Sequence, residues 1–247
     1  TVINLGEVPI MNKKWAEKNN AITPQDFSTK EITYASRNAM GTGPYRLIAY
    51  EPGIKITHQK NTDWWGLKEG RFESNIDTLE YRPIASAATR MAALKSGELD
   101  FVLDPSPQEI AQLKQDSRLK VWEGEETRVI SIALDQARDE LLFSDVKGKN
   151  PFKDKRVRQA LYQAIDINAI QKQIMRGLSI PTAIATANPK GEGIAAALEK
   201  RLPLDPAAAQ KLLADAGYPN GFGFTLHCPN DRYVNDEKIC VALAAMW

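Results

Sequence analysis

The stretch ASAATRMAALKSGELDFVL, residues 85–103, joins the pattern of a helix to that of a strand. The helical pattern rests on four residues at helical spacing: Ala88, Met91, Ala92 and Lys95. Gly97 follows where a helix commonly ends on a left-handed residue. The apolar run Phe101–Leu103 then predicts a short strand. A helix followed at once by a strand is typical of an α/β fold.

The sequence before this stretch predicts antiparallel strands. Tyr45–Tyr50 and Ile54–Lys60 are rich in residues that favour strands, and they flank the turn tripeptide Glu51–Gly53. This arrangement predicts a hairpin. Ile76–Arg82 alternates apolar and polar residues and predicts a further strand.

The sequence after this stretch continues the alternation of helix and strand. Ser106 and Pro107 have the chemistry of an N-cap and a first helical residue, which predicts a helix to about Gln115. Leu119–Trp122 and Val129–Leu134 predict two more strands. The whole order favours an α/β layered fold.

Beyond Gln136 the pattern becomes mainly helical. Aspartates at N-cap positions, two of them matched by a closing glycine, predict three helices: from Asp154, from Asp166 to Gly177, and from Asp205 to Gly217. Phe222–Leu226 predicts a strand, and Asp236 begins a last helix. That helix runs to Trp247 without a cap or a polar end, so we expect the chain to be truncated.

Composition excludes several classes of function. The chain has 247 residues, 32 Lys+Arg and 31 Asp+Glu, so its net charge of +1 creates no strong field for nucleic acid or an acidic membrane surface. No run of apolar residues is long enough to span a bilayer. Thr1–Gly6 does not resemble a signal peptide, as expected for a mature or trimmed protein and equally for a cytosolic one.

Catalytic motifs are sparse. Of the two histidines, His58 is expected at the surface of a strand and His227 in a structural or pocket-rim position. Neither a nucleophile elbow nor a zinc-protease motif is present. The glycines of Gly41–Gly43 precede a strand instead of opening a helix, so they do not predict a phosphate loop. Trp64–Trp65 is interpreted as packing at the edge of a core, with a ligand-stacking platform as the alternative.

Two further clusters have more than one interpretation. The basic residues Lys153, Lys155, Arg156 and Arg158 are interpreted as a solvated helix face, with nucleic-acid contact as the weaker alternative. Cys228 and Cys240 lie twelve positions apart. This spacing is compatible with one disulfide and with two free thiols, and no second His/Cys pair predicts a zinc site.

Six segments, in order along the chain, resemble the family 5 solute-binding proteins of bacterial ABC importers, the dipeptide, oligopeptide and nickel-binding type. They are Met40–Tyr45 (MGTGPY), Asn61–Gly66 (NTDWWG), Ile76–Leu79 (IDTL), Ala93–Asp100 (ALKSGELD), Phe152–Leu161 (FKDKRVRQAL) with Ala164–Asp166, and Asp205–Tyr218. Each is weak alone, but their order is specific.

The resemblance implies a two-lobed, periplasmic-binding-protein-like α/β fold of class II, with ligand bound between the lobes. On this pattern residues 1–128 are a partial first lobe, 129–135 a hinge crossing, and 136–247 the N-terminal part of the second lobe. The resemblance also implies an internal segment, truncated at both ends, that lacks several ligand-contacting residues of the whole protein.

The resemblance also implies binding residues. Arg232 matches a loop arginine that meets the ligand carboxylate in dipeptide-binding relatives, and a guanidinium suits that task because it donates paired hydrogen bonds and keeps its charge. Tyr233 and Asn235 are expected neighbours, and Arg128 with Thr127 is expected near the cleft. The alternative is a surface arginine paired to one of two carboxylates, Asp231 or Asp236.

The resemblance favours a disulfide between Cys228 and Cys240, since the extracytoplasmic compartment is oxidising. It implies a non-enzymatic periplasmic protein without a cofactor, which delivers a peptide-like or other small solute to permease subunits and touches the membrane only peripherally. We expect the intact protein to be a monomer and the segment to self-associate through apolar surface near Leu243 and Trp247. The alternatives are a carboxylate-based hydrolase and a peptide-binding chaperone or receptor.

Overall fold

A computed structural model describes residues 11–26, 28–29, 31–70, 75–125, 128–185 and 198–247. They fall into two compact units that divide between Ser86 and Ala87.

The first unit contains an antiparallel sheet of the order β1-β2-β3. Its strands are β1 (Tyr45–Glu51), β2 (Lys55–Lys60) and β3 (Thr78–Tyr81). Gly53 has a φ of 72°, which lets the chain reverse between β1 and β2. The predicted hairpin and third strand are therefore confirmed.

Short helices accompany this sheet: α1 (Lys13–Lys18), α2 (Tyr34–Arg37) and α3 (Trp65–Lys68). Trp64 immediately precedes α3 and is 7% exposed, whereas half of Trp65 is exposed. Both indole Nε1 atoms donate to the carbonyl oxygen of Thr42, at 3.0 and 3.2 Å. The packing interpretation of this tryptophan pair is confirmed for Trp64. His58 lies in β2 opposite Leu47 and is half-buried, not at the surface as expected.

Helices dominate the second unit. They are α4 (Ala87–Ser96), α5 (Ile110–Leu113), a 3-10 turn (Pro151–Lys153), α6 (Lys155–Gln163), α7 (Ile167–Ala169), a π-helix (Ile170–Ile174), α8 (Pro206–Asp215) and α9 (Asp236–Met246). The predicted N-caps are confirmed, because Asp154, Asp166 and Asp205 each accept a hydrogen bond from a backbone N–H of the helix that follows, at 2.8 to 2.9 Å.

The core of this unit surrounds α6. Its buried members are Leu141, Phe152, Val157 and Leu161, and Phe222, Phe224 and Trp247 are among the partly buried residues packed against them. Trp247 also donates from Nε1 to the carbonyl oxygen of Leu161, at 2.9 Å. Leu243 is only 3% exposed. Leu243 and Trp247 themselves are therefore packed within the unit, whereas Val241 on the same helix is 65% exposed.

Several predicted strands do not form. The structure has no strand at the following runs: Phe101–Leu103, Leu119–Trp122 and Val129–Leu134. Phe222–Leu226 forms only an isolated bridge, between Phe224 and Ser144. A strand needs a hydrogen-bonding neighbour, and within the ranges that the structure describes these runs have no ladder partner.

The helix predicted from Ser106 begins later than expected. It starts at Ile110, because the backbone first makes a turn in which Glu109 N donates to Ser106 O at 2.9 Å. The hydroxyl of Ser106 donates to the side chain of Gln108 at 2.6 Å instead of capping the helix.

Candidate functional site

The candidate site is the loop Cys228–Asn235, which leads into α9. A disulfide joins Cys228, at the start of this loop, to Cys240 in the second turn of α9. The loop is therefore attached to the helix at both of its ends, through the disulfide and through the chain itself.

Asp236, the first residue of α9, binds the backbone of the loop through its carboxylate. It is 6% exposed, and its Oδ2 accepts hydrogen bonds from the backbone N–H groups of Arg232 and Tyr233, both at 2.9 Å. Its Oδ1 accepts from the N–H of Glu237 at 2.8 Å. Burial acts to raise the pKa of Asp236, but the hydrogen bonds from Tyr233, Arg232 and Glu237 outweigh it, so the pKa lies below its ordinary value of 3.8.

Arg232 and Arg128 both lie against the ring of Tyr233. The guanidinium carbons of Arg232 and Arg128 are 4.9 and 6.0 Å from the ring centroid. Arg128 is also 3.6 Å from a carboxylate oxygen of Asp104. Three of the expected site residues are thus brought together, with two cations beside one half-buried aromatic ring.

Arg232 is exposed, and within the described ranges its guanidinium forms no ion pair with a carboxylate. The alternative pairing with Asp236 is not formed, since that carboxylate is occupied by backbone N–H groups. Pairing with Asp231 is not formed either. The geometry therefore leaves the guanidinium open to an external anion.

Asn235 connects the loop to two other segments. Its φ of 56° places it in the left-handed region, which asparagine tolerates. Its Nδ2 donates to the carbonyl oxygen of Ile174 at 2.9 Å and to Oε1 of Gln108 at 3.3 Å. Gln108 donates to the same Ile174 carbonyl at 3.0 Å. The side-chain amide of Asn235 thus holds the loop in place. Thr127, which was expected near the cleft, lies outside the described residues.

A cavity of about 420 Å³ opens beside this loop. Its walls are mainly apolar and come from three segments: Ile130–Asp135, Leu141–Phe143 and Phe224–Pro229. Tyr233 and Asp236 also line it. His227, predicted to be structural or at a pocket rim, lies in the wall with its ring 5.3 Å from that of Phe143.

The sequence did not predict that Asp236 accepts hydrogen bonds from the backbone N–H groups of the loop. The N-cap rule looks forward, to N–H groups two or three residues later in the chain. Asp236 accepts from residues three and four positions earlier. The only signal was the position of an aspartate at the start of a predicted helix and close to Arg232.

The described residues contain no cluster of three or more His, Cys, Asp or Glu side chains placed to hold a metal ion. In the same part of the chain, no helix has both the length and the apolar character needed to cross a membrane.

The model of the bacterial extracellular solute-binding proteins, family 5 middle, matches residues 4–247, and the chain belongs to this family. The resemblance seen in the sequence is confirmed.

Two curated relatives give the sequence context. The chain is 31% identical over 189 residues to heme-binding protein A of Haemophilus influenzae, covering 74% of the chain and 30% of the relative. It is 32% identical over 199 residues to the glutathione-binding protein GsiB of Pectobacterium atrosepticum, covering 80% and 34%. The chain thus spans about a third of the length of these relatives.

Two solved structures give the fold. The periplasmic binding protein DppA of Helicobacter pylori, in complex with the peptide STSA, matches with a TM-score of 0.65 and 23% identity, over 96% of the chain and 41% of DppA. The dipeptide-binding protein of Pseudoalteromonas sp. SM9913, in complex with Met-Leu, matches with a TM-score of 0.63 and 25% identity, over 85% and 37%. The fold class, that of two-lobed periplasmic binding proteins of the dipeptide type, is confirmed.

Proposed function

We propose that this chain is part of the solute-binding component of an ABC importer and that it captures a small solute through a carboxylate group, which Arg232 binds. The family assignment supports the transport role. Some of the relatives were solved or named with peptides, glutathione or agropinic acid, all of which carry carboxylates, and others with heme or nickel complexes.

The observation that carries this proposal is the environment of the Arg232 side chain. Its side chain is exposed, lies over the ring of Tyr233 at 4.9 Å, and has no carboxylate partner in the described part of the chain. A guanidinium that already contacts an aromatic ring loses less conformational freedom when it pairs with a carboxylate, and its paired N–H donors match the two oxygens. Arg128 lies 6.0 Å from the same ring and is paired to Asp104, so Arg232 is the cation that this proposal assigns to the ligand.

The hydrolase alternative finds no support in the resolved pKa shifts of the described carboxyl groups. A carboxylate-based hydrolase needs one carboxyl group with a raised pKa to act as a general acid. Where the pKa of a described carboxyl group departs from its ordinary value, it departs downward: Asp26, Glu80, Asp116, Asp135, Asp139, Asp154, Glu199 and Asp236. Ion pairs and hydrogen bonds to the charged form cause these shifts.

The two-lobed pattern of the family indicates how ligand binding would be communicated to the permease subunits. In this proposal residues 1–128 belong to the first lobe, 129–135 cross the hinge, and 136–247 begin the second lobe. A ligand that contacts both lobes stabilises their closed arrangement. Permease subunits recognise that form in the periplasm, where the Cys228–Cys240 disulfide is stable.

The test uses the intact protein, purified from cells without denaturant. Native mass spectrometry is expected to show a co-purifying small mass that is lost on unfolding. Titration calorimetry then compares Met-Leu with its C-terminal amide, and the free acid is expected to bind more tightly. Arg232→Ala is expected to lower the affinity for the acid by roughly tenfold or more, the loss expected for a charge-assisted pair.

Arg118→Ala is the matched control, because Arg118 is an exposed arginine paired to Asp116, outside the loop and the cavity. It is expected to bind both forms as the wild type does. Equal affinity of wild type and Arg232→Ala for the free acid would overturn the role of Arg232. An intact protein that binds no carboxylate-bearing solute would overturn the proposed function.

A further inference from the structure

We propose that Asp236 is the positioning residue for Arg232: its carboxylate fixes the backbone turn from which the side chains of Arg232 and Tyr233 leave. This inference rests on the proposed function, since it explains how the binding cation is presented. Asp236 itself need not touch the ligand.

The buried charge of Asp236 is compensated by the loop backbone. A carboxylate as buried as Asp236 is costly unless hydrogen bonds replace its water. Among the described residues its partners are three backbone N–H groups, and no cation shares it. Two of the three belong to Arg232 and Tyr233, so the charge is compensated only when this turn is formed.

The N–H groups of Arg232 and Tyr233 both donate to the same oxygen of Asp236. Oδ2 accepts from Arg232 N and Tyr233 N, each at 2.9 Å, while Oδ1 accepts from Glu237 N. Two consecutive N–H groups that converge on one atom fix the peptide plane between them. That plane sets the direction of both side chains, and the ring of Tyr233 then supports the guanidinium of Arg232 at 4.9 Å.

Asp236 belongs to a helix to which the loop is also attached by a disulfide. Asp236 begins α9, where a negative charge is stabilised by the helix dipole. The Cys228–Cys240 disulfide attaches the loop to the same helix. The preceding residue, Asn235, is bound to the Ile174 carbonyl at 2.9 Å. The loop is thus held on both sides of Arg232, and Asp236 supplies the contact at Arg232 itself.

An asparagine cannot replace this carboxylate fully. Its single carbonyl oxygen can face either the Arg232 and Tyr233 N–H groups or the Glu237 N–H, and its NH₂ group then opposes a donor on the other side. Asp236→Asn therefore keeps the size of the side chain but loses some of the hydrogen bonds that fix the turn. Asp236→Glu keeps the charge and serves as a second variant.

The first measurement is the ratio of affinities of the intact protein for Met-Leu and for Met-Leu amide, by calorimetry. A variant that merely lowers the folded fraction weakens both affinities equally and leaves the ratio unchanged. We expect Asp236→Asn to reduce the ratio by roughly tenfold, close to the effect of Arg232→Ala, because a misplaced guanidinium no longer distinguishes acid from amide. Asp236→Glu is expected to retain an intermediate ratio.

The second measurement needs no ligand. Hydrogen exchange at the amides of Arg232 and Tyr233 is expected to be faster by roughly tenfold or more in Asp236→Asn, since the opening of this turn becomes easier. Glu237→Gln removes an exposed acid one residue further along α9 and is the matched control. It is expected to change neither the ratio nor the exchange.

The outcomes separate this inference from the proposed function. A ratio that collapses in Arg232→Ala but not in Asp236→Asn would overturn the role of Asp236 alone. A ratio unchanged in both variants would overturn the carboxylate contact of the proposed function. If the wild type binds neither form of Met-Leu, the proposed function fails for dipeptides. In that case the hydrogen-exchange measurement still tests this inference. Unchanged exchange at the amides of Arg232 and Tyr233 in Asp236→Asn would overturn the role of Asp236 in fixing the turn.

Discussion

A Cβ atom on Gly66 would lie 2.4 Å from Cη2 of Trp64, because the indole ring of Trp64 lies directly over the glycine backbone. The ring is fixed there by burial and by its hydrogen bond to the Thr42 carbonyl at 3.0 Å. The tryptophan pair is therefore part of the packing of the first unit, and its position depends on a residue without a side chain.

Gly66→Ala is expected to lower the free energy of unfolding by about 1–3 kcal/mol, since a methyl group would push the ring off its site. Chemical denaturation followed by tryptophan fluorescence measures this change. Gly41→Ala is the control, because a Cβ at Gly41 meets nothing within 4 Å. Equal stability of the two variants would show that the ring can move at little cost.

Val157→Ala is expected to lower the free energy of unfolding by about 1.5–3 kcal/mol, because it removes buried apolar surface and leaves a cavity. Val157 is fully buried at the centre of the α6 core. Val241→Ala makes the same chemical change at a residue that is 65% exposed, and a change below about 0.5 kcal/mol is expected. Denaturant titration of both variants measures these two changes in the free energy of unfolding.

Asp154→Ala is expected to cost about 1 kcal/mol of stability, whereas Asp154→Asn is expected to cost much less, because asparagine also caps helices. The pKa of Asp154 is lowered mainly by hydrogen bonds from the side chain and backbone of Arg156. Its charged form thus stabilises the fold above the ordinary pKa of 3.8, and this contribution is lost as the pH falls through the lowered pKa. Thermal unfolding across acidic pH should show a smaller loss in Asp154→Asn than in wild type.

Removal of the disulfide by a Cys228→Ser, Cys240→Ser double substitution is expected to lower the free energy of unfolding by about 2–3 kcal/mol, as for a short closed loop. Reductant should destabilise the wild type to a similar extent. The double variant should not respond to reductant. A wild type that is equally stable with and without reductant would show that the disulfide adds nothing to the fold.

Local signals made much of this fold predictable. The hairpin followed from a turn tripeptide between β-rich runs, and the helices α6 and α8 followed from the caps Asp154 and Asp205. Each of these signals acts over a few residues, and the partner needed to complete the element is close in the chain.

Elements that depend on distant partners were less predictable. Val129–Leu134 has the composition of a strand, but a strand is made by its neighbour, and no neighbour pairs with this run among the residues described. At the candidate site the sequence indicated Arg232 and Tyr233, yet it did not indicate Gln108 and Ile174. These two meet Asn235 from 127 and 61 residues away.

The π-helix Ile170–Ile174 has a consequence for how the site can change during evolution. A π turn corresponds to one residue inserted into an α-helix, and it leaves backbone groups out of the regular pattern. Here the carbonyl of Ile174 receives the side chains of both Gln108 and Asn235. Deletion of one residue from this turn would restore α-helical register and rotate that carbonyl by about 100° around the helix axis. Under the proposed function, a single deletion far from Arg232 in sequence would therefore change ligand affinity while Arg232 itself stays unchanged.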